Sequence, residues 1–65
     1  MLLPFTDAEN GKTFFVNPQQ VSVVFEGVNP EGETVTMINL LNGNLATKED
    51  LVVVVGRLQG ELNGQ

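Results

Sequence analysis

The sequence predicts a β-rich α+β domain of four to five short antiparallel strands followed by one C-terminal helix. Three observations predict it. Ten residues are Val, a β-branched type suited to a pleated, half-buried surface. Turn signals at Asn10-Gly11, Asn17-Pro18, Asn29-Pro30 with Gly32, and Asn42-Gly43 cut the chain into pieces of strand length. After Thr47 the apolar residues fall at helical spacing.

The elements follow in order. Leu2 to Thr6 is an apolar first strand, and Pro4 assigns it to an edge, because Pro lacks the donor a central strand needs. Asp7-Ala8-Glu9-Asn10-Gly11 is a polar turn in which Asn-Gly accepts positive φ at low cost. Lys12 to Val16 is a second strand, stopped by Asn17-Pro18. Gln19 to Glu26 is a third, with Val21, Val23 and Phe25 on one face and Ser22, Val24 and Glu26 on the other. Val28 to Gly32 is a strong turn, with Pro30 at its second corner. Glu33 to Leu41 is the fourth strand and completes an antiparallel hairpin with the third. Val35 and Met37 share one of its faces; Thr34, Thr36, Ile38 and Leu40 share the other. After a turn at Asn42-Gly43-Asn44, Leu45-Ala46 is a brief fifth strand.

Thr47-Lys48-Glu49-Asp50 has the composition of a helix start, with a capping hydroxyl and two carboxylates suited to the positive end of the dipole. Leu51, Val54, Val55, Leu58 and Leu62 then share a stripe. The expected helix runs from Lys48 to about Gln59 and ends at Gly60. The β-branched run Val52 to Val55 opposes helix by a few tenths of a kcal/mol per residue, roughly, which leaves a strand over Leu51 to Val55 as the alternative. In a helix, Val52 and Val53 put apolar surface outside the main stripe, the mark of burial on more than one side. Residues 1–60 form a single domain and 61–65 a frayed tail.

Composition excludes several function classes. The chain has 65 residues and neither Cys, His, Trp nor Tyr. No disulfide, Cys/His zinc site or His-activated nucleophile can be built from it. The hydroxyls Thr6, Thr13, Ser22, Thr34, Thr36 and Thr47 have no imidazole to activate them. Glu31 and Glu33 flank a turn as solvated charge. Asp7-Ala8-Glu9-Asn10-Gly11 lacks the spacing and closing Glu of a calcium loop. No phosphate-binding glycine motif occurs. The expectation is a non-enzyme with no cofactor and no metal.

Eight acidic against three basic residues give a net charge of −5. Lys12, Lys48 and Arg57 are scattered, so a phosphate backbone finds no basic cluster and nucleic acid is not an expected partner. Met1 to Phe5 is too short and uncharged for a signal-peptide core, and the longest apolar run, Leu51 to Val55, is far below a membrane span. The expected location is the cytoplasm, or the virion if the chain is phage-encoded. A chain this small buries only about 60% of its unfolded surface, and without a disulfide the deficit points to a partner. Self-association through Phe14, Phe15, Val52, Val53 and Leu58 is the expectation, and Val53→Asp is the substitution expected to disrupt it.

Two families share this order of pieces. Asn10-Gly11-Lys12-Thr13-Phe14-Phe15-Val16-Asn17-Pro18, Val21, Thr34 to Leu40, Asn42-Gly43 and Lys48-Glu49 resemble the small flagellar and swarming-motility (FlbD/SwrD-like) proteins. That resemblance implies an accessory role in motility without catalysis, and similar small proteins occur in phage genomes. The departure is the Val-rich, Gly-broken helix, where the family carries more charge. Met1-Leu2-Leu3, Val21 to Val28, Thr34 to Ile38 and Ala46 to Leu51 are similar to the carbon-storage regulator (CsrA-like) family. This second resemblance implies an intertwined dimer that binds RNA. Only Lys48 stands where that family wants a basic contact, and Leu2 to Thr6 has none. The function expected is a small self-associating structural or interaction module, an accessory subunit of a larger assembly. An RNA-binding regulator and an acidic inhibitor of a basic host protein are the alternatives.

Overall fold

The computed structural model describes residues 1–63, with side chains to residue 60. It is an α+β domain: β1 (Leu3–Thr6), β2 (Thr13–Val16), β3 (Val21–Val28), β4 (Thr34–Leu40), β5 (Gly43–Thr47) and α1 (Leu51–Asn63). All strand pairs are antiparallel, in a two-stranded sheet β1-β2 and a three-stranded sheet β3-β4-β5. The two sheets are stitched at one corner. Asp7 bridges Thr47, the Ala8 N–H donates to the Ala46 carbonyl at 3.0 Å, and the Lys48 N–H to the Thr6 carbonyl at 2.9 Å.

The turns follow from their residues. Between β1 and β2, Gly11 takes φ +73°, while the side chains of Asp7 and Asn10 accept from the amides of Glu9 and Lys12. Between β3 and β4, the Gly32 N–H closes on the Asn29 carbonyl at 2.9 Å, and the Asn29 side chain accepts from the Glu31 and Glu33 amides. Pro30 stands at the second corner, and Gly32 adopts φ +84°, which an L side chain resists. Gly32→Ala is expected to cost about 1–2 kcal/mol from the left-handed backbone alone. Gly43→Ala, in open space without positive φ, is expected to stabilise by about 0.4–1 kcal/mol. Urea midpoints of the two variants moving in the same direction would contradict this.

Several boundaries differ from the sequence reading. Pro18–Gln20 is one 3₁₀ turn, capped by the Asn17 side chain accepting from the Gln19 amide at 3.0 Å, so β3 starts at Val21 and continues to Val28. A bulge between Val21 and Val23 inserts Ser22 as an extra residue. Beyond it the faces exchange. Val21 and Val24 pack against the core, while Val23 and Phe25 point outward, so the expected Val21-Val23-Phe25 face is split. The turn after β4 is Leu41-Asn42, and β5 has five residues because Leu40 pairs directly with Gly43.

Residues Leu51 to Val55 are helical, not a strand. The helix begins at Leu51, three residues after the expected start, and the Val54 N–H bonds the Asp50 carbonyl at 2.9 Å. Asp50 is therefore the boundary residue. Thr47 does not cap the helix; it is the buried last residue of β5. The helix also passes Gly60, where a stop was expected. Of the tail expected at 61–65, residues 64 and 65 lie outside those described.

Phe5, Val16, Ile38, Val54 and Leu58 form the buried core, with Leu3, Phe14, Val21, Val24, Leu40 and Leu45 packed around it. Burial of these side chains is what holds a helix of poor intrinsic propensity in place, at about 1.5–3 kcal/mol for each large apolar group. No helix among the described residues is long and apolar enough to cross a membrane.

Candidate interaction surface

One polar cluster sits inside the corner where the sheets meet. The Glu49 carboxylate accepts from the Thr6 amide at 2.9 Å, the Thr6 hydroxyl at 3.0 Å and the Thr47 hydroxyl. The Thr36 hydroxyl donates to the Glu49 carbonyl at 2.7 Å. Arg57 approaches the carboxylate at 3.9 Å, donates to the Pro4 carbonyl at 3.0 Å and lies over the Phe5 ring at 5.5 Å. Burial pushes the Glu49 carboxyl up, but the hydrogen bonds from Thr47 and Thr6 outweigh it and hold the group below the usual carboxylate range. Every partner of Glu49 belongs to the chain's own framework. The cluster ties strand β1 to β5 and α1.

This corner also settles which strand edges stay open. On the far side of β1, Pro4 has no N–H and its carbonyl is taken by Arg57; the Thr6 amide and carbonyl are taken by Glu49 and Lys48. Such devices blunt an edge against pairing. Strand β3 has eight residues, contains neither Pro nor Lys, and pairs only with β4 among the described residues. The sequence reading did not single out this edge.

The five residues expected at an interface separate into two groups. Leu58 is buried at 6% exposure and belongs to the core, so it is unavailable to a partner of the folded chain. Its helical spacing with Leu51, Val54 and Val55 already placed it on the core stripe. Phe14 is half-buried, its ring 6.2 Å from that of Phe5. Phe15, Val52 and Val53 are exposed at 62%, 82% and 41%. Phe15 is paired with Pro4 and so stands on the outer face of the β1-β2 hairpin.

Sequence reasoning missed the outer face of the second sheet. Val23 and Phe25 are exposed there at 51% and 42%, and Phe25 pairs with half-buried Met37, itself beside Ala46. A groove of about 370 Å³ continues this face past Val35, Met37 and Ala46 to Ala8 and Pro30. Only the bulge at Ser22 turns Val23 and Phe25 outward, and a one-residue insertion leaves no mark in the apolar pattern. Lys48 is exposed, and it shares a depression with Glu9, Glu31 and Glu33. Three carboxylates beside the only basic residue there oppose a phosphate.

No protein-family model, no curated protein and no solved structure matches this chain.

Proposed function

We propose that the chain is a non-catalytic structural or interaction module that associates with itself and acts as an accessory subunit of a larger assembly. The observation that carries this reading is the apolar surface left over once the core has closed. Val23 and Phe25 lie together on the outer sheet face, and Val52 and Val53 are neighbours on the helix. Grouped exposure of this kind marks surfaces that meet other proteins. Glu49, the carboxylate among the described residues whose acidity is perturbed, spends its oxygens on framework hydroxyls and an amide, an arrangement that holds a fold.

The deciding measurement is the mass of the chain in solution at micromolar concentration. Self-association predicts a multiple of the chain mass with little dependence on salt, since the contact is apolar. A monomer at every concentration would overturn the reading. Val53→Asp is expected to lower that mass while shifting chain stability by no more than about 0.5 kcal/mol, as for other exposed positions. An unchanged mass would remove the helix face from the contact.

A further inference from the structure

Resting on that reading of self-association, we propose that the chain pairs with a second copy of itself along β3, strand beside antiparallel strand, about a two-fold axis at Phe25. The backbone fixes which groups are available. The Asn29 N–H donates to the Glu33 carbonyl, and the register from Val23 to Val28 is unbroken. By the alternation of an antiparallel ladder, Val23, Phe25 and Gly27 turn their N–H and C=O groups toward β4. Val24, Glu26 and Val28 turn theirs to the open side, where no backbone partner is found among the described residues.

A two-fold axis can fall in few places along this edge. An axis between two residues would set outward groups against inward ones and make no bonds. An axis at Glu26 brings two carboxylates directly opposite, which is unfavourable. An axis at Val24 sets Glu26 against Ser22, which lies in the bulge, so only one regular bonded rung remains. An axis at Gly27 also makes two rungs, Glu26 with the partner's Val28 and Val28 with the partner's Glu26, but it sets glycine against glycine and leaves Phe25 opposite the partner's Asn29, outside the strand. An axis at Phe25 makes two regular rungs, Val24 with the partner's Glu26 and Glu26 with the partner's Val24, and brings the two rings together. Phe25 then faces the partner's Phe25 in a close, non-bonded pair, with Cα atoms about 4.5 Å apart.

The edge is thus its own complement. Its single charge, Glu26, meets an apolar residue, and its half-exposed Phe25 ring meets another on the outer face. The other edges among the described residues are shorter: β2 has four residues, and β5 has five, with its end taken by Asp7 and Ala8. The result is a closed, isologous dimer with a continuous six-stranded sheet. Val52 and Val53, on the helix, are left for contacts between dimers or with the larger assembly.

The chain has no cysteine, so a single introduced one reports its own neighbour. Phe25→Cys places two sulfurs across the axis within the Cα range of a disulfide, about 4.4–6.8 Å. Val23→Cys lies on the same face but opposite the partner's Gly27, away from its own copy. On mild oxidation of the full-length chain, Phe25→Cys is expected to give a covalent species of twice the chain mass. Val23→Cys is expected to give none, and adding Val53→Asp to Phe25→Cys leaves the disulfide intact. In the unsubstituted chain, exchange of the Val24 and Glu26 amides should slow as concentration rises. A wild-type oligomer in which these amides exchange freely, or in which Phe25→Cys crosslinks no better than Val23→Cys, would overturn the β3 pairing and leave self-association standing. A wild-type chain that stays monomeric would overturn both; a foreign strand as the true occupant of this edge would give that result.

Discussion

Phe5→Ala is expected to abolish cooperative unfolding at room temperature. Phe5 is 1% exposed and belongs to the buried core, with its ring against Phe14 of β2 and beneath the Arg57 guanidinium of α1. Removing a buried Phe ring costs about 3–5 kcal/mol, and a core in a chain of this size supplies only about 3–5 kcal/mol in total. The two quantities cancel, leaving no margin. Urea titration followed by far-ultraviolet circular dichroism should show a sigmoid for the parent and a flat or sloping trace for the variant. Association stabilises the native state by mass action, so part of the transition should return as concentration rises. Phe15→Ala, in the same hairpin but on its outer face, should stay within about 0.5 kcal/mol of the parent at low concentration. A Phe5→Ala midpoint equal to that of Phe15→Ala would place the core elsewhere.

Glu49→Ala is expected to destabilise by about 3 kcal/mol, because the Thr6 amide and the Thr47 hydroxyl lose their acceptor at roughly 1–3 kcal/mol each. Glu49→Gln keeps one acceptor oxygen and should cost less. The same group gives the chain an acid-sensitive stability. Its folded-state acidity is shifted below the ordinary value of 4.5 despite the opposing effect of burial, so the unfolded chain binds the proton first as pH falls. The contribution is complete above pH 4.5 and is lost as pH drops from there through the folded-state value. Stability measured by urea titration across this range should decline in the parent, and the decline should be shallower in Glu49→Gln. Parallel profiles would assign the acid sensitivity to other carboxylates.

The fold class, the first two hairpin turns and the faces of β4 were legible in the residues, each for a local reason; the third turn lies one residue earlier than read, at Leu41-Asn42. Asn29-Pro30 with Gly32 can make few other turns, and the two-residue period of a strand puts Thr36, Ile38 and Leu40 on one side and Val35 and Met37 on the other. The helix start was not legible, because Thr47, Glu49 and Asp50 have the right chemistry for a cap. What the residues do not announce is that Glu49 turns back to Thr6, 43 positions away in sequence. A signal was present: Thr36 falls on the same face as Ile38 and Leu40, and a hydroxyl destined for the core requires an acceptor. The surface was legible only in part. Adjacent Phe14 and Phe15 had to face opposite ways, and Val52 and Val53 had to leave the helix stripe. The outward turn of Val23 and Phe25 depends on one inserted residue at Ser22, which periodicity cannot register.

The ties between Thr6 and Glu49 and between Pro4 and Arg57 span 43 and 53 positions, and they have a kinetic meaning. The first strand cannot be secured until the helix has been made, so the closing step of folding waits for Glu49 and Arg57. Synthesis at about 5–20 residues per second leaves the N-terminal hairpin without its clasp for seconds, whereas local turns close in far less than a millisecond, roughly. Folding of this domain should therefore be all-or-none, with β1 secured only once Glu49 and Arg57 have been made. Substitutions at Arg57 and Glu49, whose contacts close last, should speed unfolding more than they slow folding, and those at the hairpin turns should do the reverse.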